Sequence, residues 1–322
     1  MRTYTAENPM SFACVFPGQG SQSVGMLAEL AEAEQVVRET FAEAGEALGY
    51  DLWQLCLQGP ANELNATDRT QPALLTAGVA VWRAWHAHGG PAPASVAGHS
   101  LGEYTALVCA GALDFSAAVR LVEHRGRLMQ DAVPVGNGAM AAVLGLDDDT
   151  VRAVCEEAAG DEVVAAVNFN SPGQVVIAGH TAAVERAGVL AKARGAKRVL
   201  PLPVSVPSHC ALMQPAAEKM ARRLADTPIR RPTIPVVLNV TAAAAGDPEA
   251  IRDALARQLH SPVLWSASMR QLADDGVALL VECGPGKVLS GLARRIDERL
   301  NGVATNDPEG LAAALAAARE NA

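Results

Sequence analysis

Aromatic side chains are scarce in this sequence. Phe, Trp and Tyr make up 4% of its 322 residues, while half of all residues are hydrophobic. Ala, Val and Leu must therefore fill most of the core. No apolar run approaches the roughly 20 residues of a membrane-spanning helix. The N-terminal stretch MRTYTAENPM lacks the basic-then-apolar pattern of a secretion signal. A cytoplasmic location without a membrane partner is expected. Metal-type cysteine spacing is missing as well. The six cysteines (Cys14, Cys56, Cys109, Cys155, Cys210 and Cys283) form no CxxC pair, which argues against a cysteine-based zinc site. They scatter through apolar segments and read as small core residues in a reducing compartment. Excess positive charge is also absent. A net charge of −9 disfavours general nucleic-acid binding, and an acidic partner would have to find a local basic patch. Tandem repeats and low-complexity linkers are lacking too.

What is present is an alternation of strand-like and helical segments, in a chain long enough for one large domain or two unequal ones. SFACVF (11–16) reads as a buried strand ended by Pro17-Gly18-Gln19-Gly20. Helical stretches follow at about 25–48, and Pro72 is expected to open another long helix. A short strand at 95–97 leads to a turn at Ser100 and a helix over 101–110. Ser116 is expected to cap a further helix to about Gln130. Residues 138–203 run β-α-β-β-α-β, the ferredoxin-like order, with a turn at Asn170-Ser171-Pro172-Gly173. They are expected to form a small subdomain (135–204) inserted into a large α/β-hydrolase-like domain (1–134 and 205–322) that resumes near Ser205. Strand candidates at 234–240 and 278–284, interleaved with helices, predict a mostly parallel sheet covered on both faces.

The chemistry concentrates at VAGHSLGEYTAL (96–107). Gly98-His99-Ser100-Leu101-Gly102 between a strand and a helix is the nucleophile-elbow pattern. The bend is too tight for side chains at the two glycines, and the serine projects from the carboxyl edge of the sheet. The helix behind it aims free N–H groups at that edge. An oxyanion formed by Ser100 attack would meet the Leu101 N–H first. Gln19, flanked by glycines that let backbone approach a substrate, suits a second donor. His99, the neighbour, points elsewhere if Ser100 points into the site, and reads as structural.

Ser100 needs a base. Of the seven histidines, His86, His88 and His124 fall in helical stretches, His180 opens a helix of the small unit and His260 precedes Ser261-Pro262. His209, in VSVPSHCALM, follows a strand and precedes a helix of the large unit, so position favours it. Cys210 beside it has no elbow around it. No Asp or Glu stands out to orient the imidazole, and Asp147 to Asp149 read as helix-capping charges. In FSAAVRLVEHRGRLMQD, Arg125 lies on the apolar stripe of Ala118, Leu121, Val122, Leu128 and Met129. A desolvated lone charge is very costly. Spacing alone favours an internal salt bridge. The alternative is a substrate carboxylate, which the guanidinium fork would grip bidentately.

Taken together, PGQGSQ (17–22), TQPALL (70–75), GHSLGEY (98–104), HRGRLMQ (124–130), NFNSPGQVVIAG (168–179), VPSHCALM (206–213), QLHSPVLW (258–265) and ECGPGKVLSGL (282–292) resemble the malonyl-CoA:acyl-carrier-protein transacylases, the stand-alone bacterial enzymes of fatty acid synthesis. The resemblance runs from about residue 12 to 305. It implies that Ser100 is the nucleophile and His209 the general base. It implies that the main-chain carbonyl of Gln258, not an acid, holds the imidazole. It further implies that Arg125 binds the malonyl carboxylate, that the N–H groups of Gln19 and Leu101 form the oxyanion hole, and that Gln71 and the loop bearing Asn168 and Asn170 line the thioester channel. The implied substrates are malonyl-CoA and holo acyl carrier protein, with coenzyme A as a carrier and no metal or redox cofactor. The carrier is acidic in this family, so docking is expected at Lys192, Arg194, Lys197 and Arg198, aided by Arg222 and Arg223. A trans-acting polyketide acyltransferase shares these motifs. A serine hydrolase and a catalytically silent carrier-binding module are the readings from other classes.

Overall fold

A computed structural model describes residues 11–204 and 206–321. The N-terminal decapeptide read for a leader, and Ser205 where the large unit was expected to resume, lie outside the described residues.

The strands are β1 (Ser11–Phe16), β2 (Ser95–Gly98), β3 (Gly138–Leu144), β4 (Val164–Ser171), β5 (Gln174–His180), β6 (Arg198–Pro201), β7 (Val236–Leu238), β8 (Ala243–Ala245), β9 (Val277–Glu282) and β10 (Asn301–Ala304). Six of them form one sheet in the order β10-β9-β1-β2-β7-β8. All its pairs are parallel except β7 with β8. The alternation along β1 explains why both faces are covered. Phe12, Cys14 and Phe16 enter one apolar cluster with the long helices, and Ala13 and Val15 enter a second one on the opposite face. A parallel sheet buried on both sides is the expected result for such continuous apolar strands. Five of the six free cysteines are buried and Cys109 is partly buried.

The other four strands form an antiparallel sheet in the order β4-β5-β3-β6. The helices Asp148–Ala159 and Thr181–Ala193 pack on one face through Val151, Val154, Ala183 and Ala187. This is the ferredoxin-like arrangement, in which the strand between two crossover-linked strands runs against both. Its other face packs Met140, Val167, Val176 and Ala178 on Cys210, the residue after His209. The small sheet is also tied by backbone to the segment before the helix Trp265–Asp274: Phe169 N–H donates to Val263 O at 3.0 Å, and Val263 N–H to Val167 O at 2.8 Å.

Two helix starts differ from expectation. The long helix begins at Thr67, not at Pro72, and runs to Ala87. Ala66 is extended, Thr67–Gln71 is already helical, and Pro72 forfeits only its own donor to the Asp68 carbonyl. The helix Phe115–Ala132 is capped by Asp114, whose carboxylate accepts from Ala117 N–H at 2.9 Å. Ser116 lies inside its first turn. No helix among the described residues is long and apolar enough to cross a membrane.

Candidate active site

Strands β1, β2 and β7 end side by side, because parallel neighbours share an edge. β2 runs into the bend Gly98-His99-Ser100 and then into the helix Gly102–Cys109. The glycines are there for space. A Cβ on Gly98 would sit 1.9 Å from the Gly102 carbonyl, and one on Gly102 would sit 2.1 Å from Phe16 O. Ser100 itself is left-handed, with φ of 51°, a conformation that side-chain-bearing residues adopt rarely and mostly where function requires it.

His209 reaches Ser100 from the far side of the chain. Its φ is also positive, at 67°, and its N–H is held by Leu259 O at 2.9 Å. The ring Nδ1 lies 2.7 Å from the Gln258 carbonyl oxygen, and Nε2 lies 2.8 Å from Ser100 Oγ. A carbonyl can only accept, so Nδ1 carries the hydrogen and Nε2 is left to accept from the Ser100 hydroxyl. Burial is the main reason, and the Arg125 charge the second, that the imidazole is pushed down to about 3. The ring therefore rests neutral, the state a base requires.

Arg125 is 1% exposed. Nη1 donates to Gln71 Oε1 at 2.8 Å, and Nη2 donates to Gln258 Oε1 at 2.8 Å and to Ser100 Oγ at 3.4 Å. Nε is buried without a partner. The internal salt bridge favoured by helix spacing does not form among the described residues. Neutral amide oxygens hold the fork instead, so its charge is not cancelled. The close approach that brings Arg125 to Gln71 depends on Gly126, where a Cβ would lie 2.6 Å from Asp68 Cα on the facing helix.

Gln258 is a hub. Its main-chain oxygen orients His209, its side-chain oxygen takes Arg125, and its Nε2 donates to the Ser100 carbonyl at 3.0 Å. Among the described residues neither the Leu101 N–H nor the Gln19 N–H is given to a protein acceptor. The loop carrying Gln19 lies against the elbow, since a Cβ on Gly18 would meet His99 O at 2.4 Å.

Not every expected residue joins this centre. Asn168 and Asn170 lie within β4 rather than on a loop, because the strand continues to Ser171 before the Pro172-Gly173 turn. Asn170 Oδ1 is 2.8 Å from His99 Nε2. His99 is half-buried against Trp265, with ring centroids 5.4 Å apart, and makes no hydrogen bond to the Ser100 hydroxyl. Asn168 Oδ1 is buried without a partner, and none of the site's hydrogen bonds reaches it. Gln71 does join, accepting from Arg125 and donating to Met129 Sδ at 3.4 Å.

Two buried groups escaped the sequence reading, Glu103 and Asn239. Glu103 is fully buried, and burial raises its carboxyl to about 8, so it holds its proton at neutral pH. Its signal was a lone acid on a helix otherwise built of small and apolar residues. Asn239 directly follows the apolar strand β7, a position that carries little warning.

A serine hydroxyl on a strand-to-helix bend, a neutral imidazole 2.8 Å from it and uncommitted N–H groups beside it define a serine-dependent acyl-transferring enzyme. Comparison with known proteins gives the same class. A family model described as an acyl transferase domain matches residues 13–304. A malonyl CoA-acyl carrier protein transacylase of Escherichia coli O157:H7 is 64% identical over 304 residues, 94% of this chain and 98% of the relative. An acyl carrier protein S-malonyltransferase from Vibrio cholerae superposes with a TM-score of 0.92 at 61% identity, covering 94% of this chain and 99% of that one. A malonyl-transacylase solved in complex with a type II PKS acyl-carrier protein gives 0.94 at 57% identity, covering 95% and 99%. The chain belongs to the malonyl CoA-acyl carrier protein transacylase family of acyltransferases.

Proposed function

We propose that the chain transfers a malonyl group from malonyl-CoA to the phosphopantetheine thiol of acyl carrier protein through a malonyl ester on Ser100. The observation that carries this reading is the meeting of three groups on one oxygen: Ser100 Oγ lies 2.8 Å from His209 Nε2 and 3.4 Å from Arg125 Nη2. Ser100 attacks the thioester carbonyl as His209 Nε2 takes its proton. The N–H groups of Gln19 and Leu101 face the oxyanion. The intermediate collapses, the carbon–sulfur bond breaks, and the coenzyme A thiol leaves with the proton from His209. The carrier's thiol then attacks the ester, giving its proton to His209, which returns it to Ser100 Oγ. The Gln258 carbonyl holds the imidazole throughout, and Arg125, with Gln71 behind it, takes the free carboxylate of the acyl group. On this reading Asn170, through its bond to His99, and Asn168 on the same strand line the thioester channel. Relatives at 59–64% identity are named malonyl CoA-acyl carrier protein transacylases, which supports a role in fatty acid synthesis over the trans-acting polyketide reading. Residues 135–204 act on this reading as a small subdomain inserted between 1–134 and 205–322.

For the carrier protein, the reading places docking at the exposed Lys192, Arg194, Lys197 and Arg198. Lys197, Arg198 and Arg295 line one cavity of about 590 Å³ together with Pro172 and Gly173. That turn directly continues the strand whose Asn170 holds His99, and Asp147 also lines the cavity. Arg194 is paired with Glu157. Arg222 and Arg223 sit on a different helix, Gln214–Ala225, with Arg223 near His124.

The deciding experiment is intact-mass analysis after incubation with malonyl-CoA. A malonyl adduct on Ser100 that transfers to holo carrier protein, and that is absent in Ser100→Ala, is the expected result. Release of free malonate without a transferable adduct would instead make the chain a hydrolase.

A further inference from the structure

The contacts around the Ser100 bend depart from their sequence pattern. Ser100-Leu101-Gly102-Glu103 has the Ser-x-x-Glu spacing in which the serine hydroxyl caps the helix and the acid reaches back to the serine N–H. Neither contact forms. Asn239, 139 positions away, stands between the two residues. Its Oδ1 accepts from Ser100 N–H at 2.7 Å, and its Nδ2 donates to Gly98 O at 2.6 Å. Its own N–H donates to Glu103 Oε2 at 2.5 Å, and its carbonyl accepts from Leu264 N–H at 3.0 Å. All four polar groups of Asn239 are thus committed, and the residue is 1% exposed beside a fully buried Glu103.

We propose that Asn239, itself fixed by Glu103, is a positioning residue that holds the Ser100 bend in its left-handed conformation and leaves the serine hydroxyl free for His209. The inference rests on Ser100 being the nucleophile. Its logic is one of substitution. A left-handed non-glycine residue reverts to commoner backbone unless neighbouring contacts over-determine it. Asn239 grips the bend at both ends, on Gly98 O before the serine and on Ser100 N–H at it. A serine whose hydroxyl closed the cap would have no oxygen to offer a thioester. By supplying the cap from another strand, Asn239 separates holding the turn from doing chemistry. Its place follows from the sheet: β7 is the parallel neighbour of β2, so the residue after β7 meets the residues after β2 at one edge. Glu103, protonated by burial, needs only one acceptor oxygen for the Asn239 N–H, which a glutamine also offers.

The test measures two rates on the full chain. One is phosphonylation of Ser100 by a neutral fluorophosphonate, in which Oγ bonds to phosphorus, fluoride leaves and His209 takes the proton. The other is single-turnover acylation by malonyl-CoA. Asn239→Ala is expected to slow both about 10- to 100-fold, as small misplacements of reacting atoms do, with the half-saturating malonyl-CoA concentration within about twofold. Glu103→Ala should slow labelling about tenfold, and Glu103→Gln should restore most of that loss. Wild-type labelling in folded Asn239→Ala, or equal losses in Glu103→Ala and Glu103→Gln, would overturn the proposal. If Asn239→Ala does not fold, Asn239→Asp decides. It keeps the acceptor for Ser100 N–H and the volume, and loses the donor to Gly98 O. A roughly fivefold or greater slowing supports the proposal, and unchanged labelling overturns it. Wild-type protein that reacts with fluorophosphonate at Ser100 but not with malonyl-CoA would sink the acyl-group reading alone. Absence of both reactions would sink both.

Discussion

At Ser100, His209 and Arg125 the decisive quantity is charge. Arg125 is buried and its hydrogen bonds go only to amide and hydroxyl oxygens, so a bound carboxylate would restore much of what burial removed. Arg125→Ala is expected to lower malonyl loading of Ser100 at least about 100-fold, the scale of a lost buried charge pair, while acetyl loading persists or rises. Competition between malonyl-CoA and acetyl-CoA, read by mass, checks it; equal loss of both would make the residue structural. His209 sets the pH dependence. Its folded value is depressed to about 3, so the unfolded chain binds a proton near pH 6.5 that the folded one refuses until far lower. Its stability contribution is therefore present above 6.5 and lost as pH falls from there toward 3. An ordinary imidazole would lose about tenfold in rate by pH 5.5. Here kcat/KM should stay within about twofold from pH 8 to 5.5, and a pH–rate profile tests this. Ser100 and the two glycines around it were legible because steric need dictates residue type there. Arg125 stood out by helical spacing, but what it touches did not, since amide partners from residues 71 and 258 leave no mark on its own helix. Glu103 and Asn239 stayed hidden because each looks ordinary among its sequence neighbours.

Among the elements, the crossing of Thr67–Ala87 with Phe115–Ala132 delivers Arg125 to Gln71, and Gly126 permits it. Gly126→Ala would push its Cβ to 2.6 Å from Asp68 Cα, and backbone cannot yield as a side-chain tip does. Separation of the two helices should cost about 1–3 kcal/mol. It should also weaken malonyl loading more than acetyl loading, measurable by thermal melts and by the same competition. Helix and strand types along the chain followed from period and turn residues, but helix starts were less visible. Pro72 is a strong breaker by sequence yet sits inside a helix, because packing of the whole Leu74–Trp85 face outweighs one missing donor. Asp114 caps where Ser116 was expected because the extended residue, not the nearer hydroxyl, precedes the first helical turn.

Over the whole molecule, a net charge of −9 sets the background against which an acidic carrier would dock. Reversing Lys197 and Arg198 to Glu should raise the carrier-protein KM about tenfold or more at low salt, and less at high salt. Serine acylation by malonyl-CoA should not change. Steady-state kinetics over a salt series separates the two half-reactions. The alternation of strands and helices revealed the four central strands of the large sheet but not its edge strands β8 and β10, and the β-α-β-β-α-β order revealed the small sheet. How the small sheet is tied to the chain before the helix Trp265–Asp274 was not readable, since the joining bonds link Val167 and Phe169 to Val263 through main-chain atoms that no side chain advertises. The same anonymity protects the centre. The oxygen that aims His209 belongs to the peptide linkage of Gln258, and all twenty amino acids supply one. Genetic drift at that codon can strip away the amide but never the acceptor, so the imidazole's aim is inherited from the path of the chain rather than from its spelling.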